Sequence, residues 1–302
     1  MSNILPIIVA SGDGKKIRDY LKYEEDLSTR LITKAGLEGR IRVNGDVVKL
    51  NYRVNCGDKI EINLDRCESQ NIIPQDMELD IIYEDKDIIV VNKAPFMVVH
   101  PTKSHQTETL SNGVLKHFMD NGESCIVRLV SRLDMDTSGL IIIAKNQFSH
   151  MFLAKEMETN SIDKLYLALV HGFLPEQSGV INEAIGREDE DSIKREVIAN
   201  GKAAVTHYRV IEEYQNASLV ELKLETGRTH QIRVHLSYLG NPIIGDKLYG
   251  IEESVIISRQ ALHAFKLNFR HPITKTKLTL KSDLPSDMEE LCHKLKSLSQ
   301  KV

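Results

Sequence analysis

The sequence predicts an α+β protein in which a small α+β module precedes a larger domain built on a mainly antiparallel mixed sheet. Two observations predict this. From about residue 75 onward, strand-length apolar runs follow one another with only a few segregated helical patterns, not in the strand–helix–strand alternation of a parallel fold. Ahead of them, residues 14–63 hold two short helical patterns and a strong hairpin signal in close succession.

In chain order, residues 1–13 read as an N-terminal strand or arm. KIRDYLKYE and DLSTRLITKAGLEG read as helices, the second with Ser28 or Thr29 as its N-cap and glycines at its end. RIRVNGDVVKL alternates on both sides of Asn44-Gly45, two residues that tolerate the positive φ of a tight hairpin. YRVNCGDKIEINL adds a turn at Cys56-Gly57-Asp58 and a further strand. This places a small domain at 14–66, a polar linker at 67–75 and a large domain at 76–302. Within the large domain DIIVVNK, MVVH, GLIIIAKN, KLYLALVHG, AVTHYRVIEEY, SLVELKLE and KLTLKS read as strands. Helices are expected near 109–119, 147–158 and 229–239, with a closing helix whose stripe is Met288, Leu291, Cys292, Leu295 and Leu298.

The totals narrow the function classes. With 41% hydrophobic and 27% charged residues, the 302-residue chain has the composition of an ordinary globular protein. Its four cysteines form no CxxC pair, which argues against a disulfide framework or a cysteine zinc site and fits a reducing cytoplasm. No apolar run approaches the ~20 residues a membrane span needs. The formal net charge is -4, yet Lys15 to Arg66 carries twelve Lys/Arg against nine Asp/Glu, so that segment is +3 and the remainder -7.

Several motifs lack the context their chemistry needs. SGDGKK, residues 11–16, has neither the spacing nor the preceding βα unit of a phosphate loop. The eleven histidines form no HxxxH or HExxH, so no metal site is expected. Asp134-Met135-Asp136 resembles the aspartate pair of magnesium-dependent phosphatases, but here the apolar strand follows the aspartates instead of preceding them. That competing reading predicts inactivation by a chelator.

Three segments carry polar groups that folding alone explains poorly: SRLDMDTSG, KLYLALVHG and LETGRTHQIRVHLSYLGNPIIGD. RLDMDTSGLIIIAKN resembles the catalytic signature of the RluA/RluD-type pseudouridine synthases. KLYLALVHG and TGRTHQIRVHLSYLGNPIIGDKLYG resemble that family's later motifs in the same order, and DMELDIIYEDKDIIVVNKAPFMVVHP resembles its opening strands. Residues 14–63 resemble the small RNA-binding module of ribosomal small-subunit protein four. Two departures stand out. Ser131 occupies a position usually held by His, and Lys93-Ala94-Pro95-Phe96 replaces the usual Lys-Pro-x-Gly.

The resemblance implies a pseudouridine synthase catalytic domain and isomerisation of uridine in structured RNA after base flipping. Breaking the ribose–nitrogen bond builds positive charge on the sugar, which a carboxylate answers by adding to the anomeric carbon or by removing the neighbouring proton. Nothing is oxidised or hydrolysed, so no cofactor or metal is expected. By the family's motifs Asp134 is that carboxylate and Arg233 the guanidinium that steers it. Arg132 fills the gap the flipped base leaves, and Tyr166 lies against the uracil as stacking face and proton relay. Asp136 is a loop carboxylate expected to bond backbone N–H groups ahead of Thr137 and Ser138. An alternative reading, an RNA-binding protein with an inactive catalytic domain, is disfavoured because Asp134, Tyr166 and Arg233 are all present. Lys15, Lys16, Arg18, Arg30, Lys34, Arg40 and Arg42 of the module are expected on phosphates, and Arg228 and His230 are expected to contact the RNA. The implied partner is ribosomal RNA or tRNA, and the protein is expected to be a cytoplasmic monomer.

Overall fold

The computed structural model describes residues 4–11, 14–64, 70–189, 192–251 and 257–299, side chains at 299 excepted. The boundary expected between module and linker at residue 66 therefore lies outside the described residues, as do part of SGDGKK and Cys67.

The N-terminal module consists of β1 (Ile4–Ile8), α1 (Ile17–Tyr23), α2 (Thr29–Leu37), β2 (Ile41–Val43), β3 (Asp46–Val47) and β4 (Lys59–Asn63). The Ser28 hydroxyl accepts the Leu31 N–H at 3.1 Å, so Ser28 is the N-cap of α2. Asn44 and Gly45 have φ of 52° and 95°, as the hairpin requires. The four strands pair in the order β1-β4-β2-β3. β1 is thus a full sheet member, its Leu5 and Ile7 turned into the core beside Ile60 and Ile62. Phe148 and Ile273 of the large domain complete that core, so the module is packed on the large domain.

The large domain runs β5 (Ile81–Glu84), β6 (Ile88–Lys93), α3 (Leu110–Asp120), β7 (Arg128–Leu129), β8 (Ser138–Ala144), α4 (Gln147–Glu158), β9 (Asp163–His171), β10 (Ser178–Asn182), β11 (Ile185–Gly186), β12 (Glu196–Val197), β13 (Val205–Glu213), β14 (Ala217–Leu224), α5 (Gln231–Tyr238), β15 (Leu262–Arg270), β16 (Lys277–Lys281) and α6 (Ser286–Ser299). Its main sheet has the order β10-β13-β14-β9-β15-β8-β6-β5, with β16 on β15 and β7 on β8. Among its described pairings only β8–β15 is parallel, so the sheet is mixed and mostly antiparallel, as predicted. No described helix is long and apolar enough to cross a membrane.

The unbroken apolar run of β8 follows from burial on both faces. Ile141 and Ile143, with Ile89 and Val91 of β6, pack under α3. Leu140 and Ile142, with Ile88 and Val90, pack under α4 on the opposite face. One strand expectation fails. MVVH, 97–100, is not a strand, because Val98 and Val99 turn their carbonyls to the first N–H groups of α3, at Leu110 (2.9 Å) and Ser111 (3.0 Å). Conversely β15, central in the sheet, was not anticipated, since LHAFKLNFR lacks a clean alternation.

A glycine sets the site's position. Gly139 has φ +115°, and a Cβ there would lie 2.4 Å from the Ala264 carbonyl oxygen. Without a side chain at 139, β8 and β15 meet in parallel at Ser138–His263 and Gly139–Ala264. The loop entering β8, with Asp134, is fixed at that junction.

Candidate active site

A cleft of about 1150 Å³ opens over the loop before β8, the face of β9 and the turn leading into α5. Arg132, Asp134, Tyr166, Arg228, His230 and Arg233 all line it. Three segments far apart in sequence therefore meet in one pocket, as the site expectation required.

Asp134 is reached by Arg233, whose Nη1 donates to Oδ2 at 3.2 Å, while the carboxylate keeps 31% of its side-chain surface toward the cleft. Arg233 is itself clamped. Its Nε and Nη2 donate to the two oxygens of Asp246 at 2.7 and 2.8 Å, a bidentate pair on a carboxylate with 0% exposure. Burial works to raise the Asp246 pKa. Its hydrogen bonds from Arg233 and from the N–H groups of Leu248 and Tyr249 more than offset that and hold the carboxyl below the usual range. For Arg233 burial works in the opposite direction, and Asp246 and Asp134 together raise its pKa. The guanidinium also stands 5.0 Å above the Tyr249 ring. Arg233 is thus a fixed charge with one arm directed at Asp134.

His230 is the N-cap of α5 with φ 57°, so the helix starts at Gln231, two residues later than the sequence pattern implies. Its Nδ1 pairs with the Tyr249 hydroxyl at 2.9 Å and its Nε2 lies 3.9 Å from Asp134. Burial lowers its pKa, opposed by the Asp134 charge. The turn ahead of it is held by Gln231, whose Oε1 accepts from Arg228 N (2.9 Å) and Thr226 Oγ1 (2.8 Å). Tyr166 is buried in the cleft wall. Burial, then the Asp134 charge, push its phenol pKa up, which keeps it protonated and able to donate. Arg132 is exposed and makes no hydrogen bond or ion pair with any described residue.

Asp136 behaves differently from expectation. The turn closes through Thr137 N–H on the Asp134 carbonyl at 3.1 Å, and the buried Oδ1 of Asp136 has no hydrogen-bond partner among the described residues. The loop is instead held from beneath by two buried cations. Lys93 Nζ donates to the carbonyls of Ala94, Met97 and Met135 at 2.7, 3.0 and 2.9 Å. Arg259 donates to the Asp136 carbonyl at 3.1 Å and forms a bidentate pair with Asp287. Burial, with Arg259 adding to it and the two loop aspartates opposing, brings the Lys93 pKa down to about 7.

The module's cations are mostly exposed: Lys15, Arg18, Arg30, Lys34 and Arg42 face solvent, and Lys16 is half-buried. Arg40 differs, since its guanidinium is committed to Glu38 and the Asn63 carbonyl as a strut. Asp246 and Arg259 were not singled out from sequence, and Lys93 only as the start of a departing motif. Asp246 closes the very block that carries Arg233, and an arginine on the buried face of a helix calls for a carboxylate nearby. That signal would have found it.

The cleft thus brings together an acid held by a clamped guanidinium, a buried phenol and a rim of cations, an arrangement whose chemistry could serve a glycosidic bond in a polyanion. Comparison with known proteins agrees. Residues 87–238 match the RNA pseudouridylate synthase family, and the chain belongs to it. It is 41% identical over 276 residues to the uncharacterized RNA pseudouridine synthase YlyB of Bacillus subtilis, covering 90% of this chain and 91% of that one. It is 38% identical over 280 residues to ribosomal large subunit pseudouridine synthase D of Vibrio cholerae, covering 88% and 86%. Among solved structures, the human RNA pseudouridylate synthase domain-containing protein 4 superposes with a TM-score of 0.61 at 26% identity, covering 72% of this chain and 92% of that one. The chain is an RNA pseudouridine synthase, an isomerase.

Proposed function

We propose that this enzyme isomerises specific uridines of structured ribosomal RNA, with Asp134 as the carboxylate that opens and re-forms the glycosidic bond. The observation that carries this is the 3.2 Å contact of Arg233 with Asp134 inside the cleft that Tyr166 also lines. A uridine within a stack reaches Asp134 only when extruded, at a cost of a few kcal/mol. Arg132, exposed and unpartnered at the rim, takes the vacated space. Tyr166 stacks on the uracil and relays a proton. The ribose leaves nitrogen and joins the ring carbon, the carbon's proton is released and the nitrogen takes one up, so no redox group enters.

The N-terminal module, as an RNA-binding unit of the type in ribosomal small-subunit protein four, supplies phosphate contacts through its exposed cations, and Arg228 and His230 add contacts at the cleft. Ribosomal RNA is favoured over tRNA by the relatives named for the large ribosomal subunit. One copy of the chain supplies Asp134, Tyr166 and Arg233, so a monomer suffices, and Cys125 and Cys292 carry free thiols, as in the cytoplasm.

RNA carrying tritium at uracil carbon 5 loses it to water as product forms. Asp134→Asn should lower that release by about 10³-fold or more while RNA binding persists; undiminished release would sink the assignment. Mapping pseudouridine in cellular RNA with and without the gene names the substrate position.

A further inference from the structure

Most buried or half-buried cations of the large domain already have an acceptor. Lys145 has Glu84 and Glu123, Arg233 has Asp246 and Asp134, Arg259 has Asp287, and Lys93 has three carbonyls. Lys275 sits over the Phe148 and Phe152 rings and donates to Pro272. Lys164 is different. It lies on β9 two residues before Tyr166, hence on the same face of the strand, and it lines the same cleft. It is only partly exposed, yet it makes no hydrogen bond or ion pair with any described residue. The acids nearest in sequence and cleft do not serve it. Asp163 is paired with Lys223 at 2.6 Å, Glu225 is paired with His207, and Glu158 is not within ion-pair distance. Burial alone lowers the Lys164 pKa, with no neighbouring charge contributing.

A partly desolvated ammonium without a counter-charge destabilises the free protein. Its retention in the cleft wall is explained by an anion that arrives with the substrate. Across from it is the Gly227 backbone: a Cβ built on Gly227 would stand 3.9 Å from Lys164 Nζ, with nothing closer. The turn's bare backbone and the ammonium are thus close neighbours in the cleft wall, placed so that both can contact one phosphodiester lying over them. Arg228, next in the turn and exposed, uses Nε on the Ala203 carbonyl at 2.9 Å, which fixes the turn at that spot.

We propose that Lys164 and the Gly227-Arg228 turn form a phosphate-binding site in the cleft wall, taking an RNA phosphodiester beside the extruded nucleotide. This deepens the reading of the cleft as an RNA site and rests on it. The ammonium is a binding group, and it acts before the chemistry by holding the strand while Tyr166, two residues on, receives the base.

The test uses the full chain with carbon-5-tritiated ribosomal RNA and tRNA transcripts, comparing wild type, Lys164→Gln and Lys164→Arg. On whichever RNA the wild type turns over, Lys164→Gln should lower kcat/KM roughly tenfold, chiefly through KM. It should make the slope of log kcat/KM against log salt shallower by about one, as loss of one phosphate contact does. Lys164→Arg should restore most of both. Removing an uncompensated charge should also raise the melting midpoint of Lys164→Gln, by roughly 2–4 °C. A purely structural lysine gives the opposite signature: a lower midpoint, with the salt slope unchanged. That result overturns the proposal, as does a wild-type KM in Lys164→Gln. Absence of tritium release by the wild type from both RNAs overturns the RNA reading itself, and the lysine proposal with it.

Discussion

The cations of the N-terminal module and those of the cleft are built on opposite principles. Lys15, Arg18, Arg30, Lys34 and Arg42 stand in solvent, and where they touch an acid it is local, as for Lys15 with Glu24. Such pairs are worth little and are screened by salt. Arg233, Arg259 and Lys93 are buried and each is held by two or more acceptor residues, at least one of them distant in sequence. On the proposed reading, the first arrangement would give affinity that tolerates changes in geometry, and the second gives geometry. One polyanionic substrate can use both, because attraction and alignment are separate tasks.

The largest expected effect is on the alignment side. Arg233→Ala removes the donor to Asp134 and leaves Asp246 buried without its partner. Single-turnover rates should fall about 10²- to 10³-fold, with the RNA dissociation constant changing less than about threefold. Breaking the buried pair should also cost about 3–5 kcal/mol in denaturant unfolding. Near-normal turnover, or a loss seen only in binding, would erase the distinction between the two sets of cations.

Acid sensitivity should follow the same division. His263 is buried between Ser138 Oγ (2.9 Å) and Ser282 Oγ (3.0 Å) at the β8–β15 junction, and burial, with Arg259 adding, brings its pKa down to about 4. Unfolded, it titrates near 6.5. Its stabilising contribution is therefore complete above about pH 6.5 and is lost as pH falls toward 4, where only the unfolded chain takes up the proton. The loss should amount to roughly 3 kcal/mol. Melting curves of His263→Asn across that window should show a shallower pH dependence than wild type.

The sequence made the module almost fully legible because its signals are local: a Ser28 cap, an Asn44-Gly45 turn and an alternating strand each sit within a few residues of the structure they specify. The large sheet was legible strand by strand but not in its pairing. β15 joins β8 to β9 with Lys266 and Asn268 among its apolar residues, and nothing nearby marks it as central. In the cleft, Asp134, Tyr166 and Arg233 were picked out through motifs, and the structure places all three in its lining. What was missed are the residues acting at long range. Asp246 matters only once Arg233 faces it, and Arg259 only once the Asp136 carbonyl is above it. Asp136 was misread because a turn can close on a backbone carbonyl as readily as on a side chain.

On the affinity side the effects should be moderate. Because Phe148 belongs to the module's core, deleting the module would expose it, so substitution is the cleaner probe. Changing Lys15, Arg18, Arg30 and Lys34 together to Gln should weaken RNA binding about 10- to 100-fold at physiological salt and flatten its log–log salt slope by about two to three. The turnover rate at saturating RNA should stay within about twofold. An unchanged slope would remove the module from the RNA contact surface.

The smallest effect separates two residues of positive φ, one in each region. Asn44, φ 52°, suits its turn: its amide donates to Asp58 Oδ1 and its carbonyl accepts from Lys59 N–H, each at 2.9 Å. Phe96, φ 62°, follows Pro95 in the loop that Lys93 ties to the turn carrying Asp134, and the residue is 54% exposed. A non-glycine residue in this conformation costs about 1–2 kcal/mol, while glycine's extra freedom in the unfolded chain costs about 0.4–1. Since the exposed ring contributes little burial, Phe96→Gly should stabilise by about 0.5–1 kcal/mol. Asn44→Gly gains less from relief of φ and loses two hydrogen bonds, so it should destabilise by about 1 kcal/mol. Chemical denaturation of the two variants gives the sign directly, and a destabilised Phe96→Gly would mean that the ring packs more tightly against its neighbouring loop than its exposure implies.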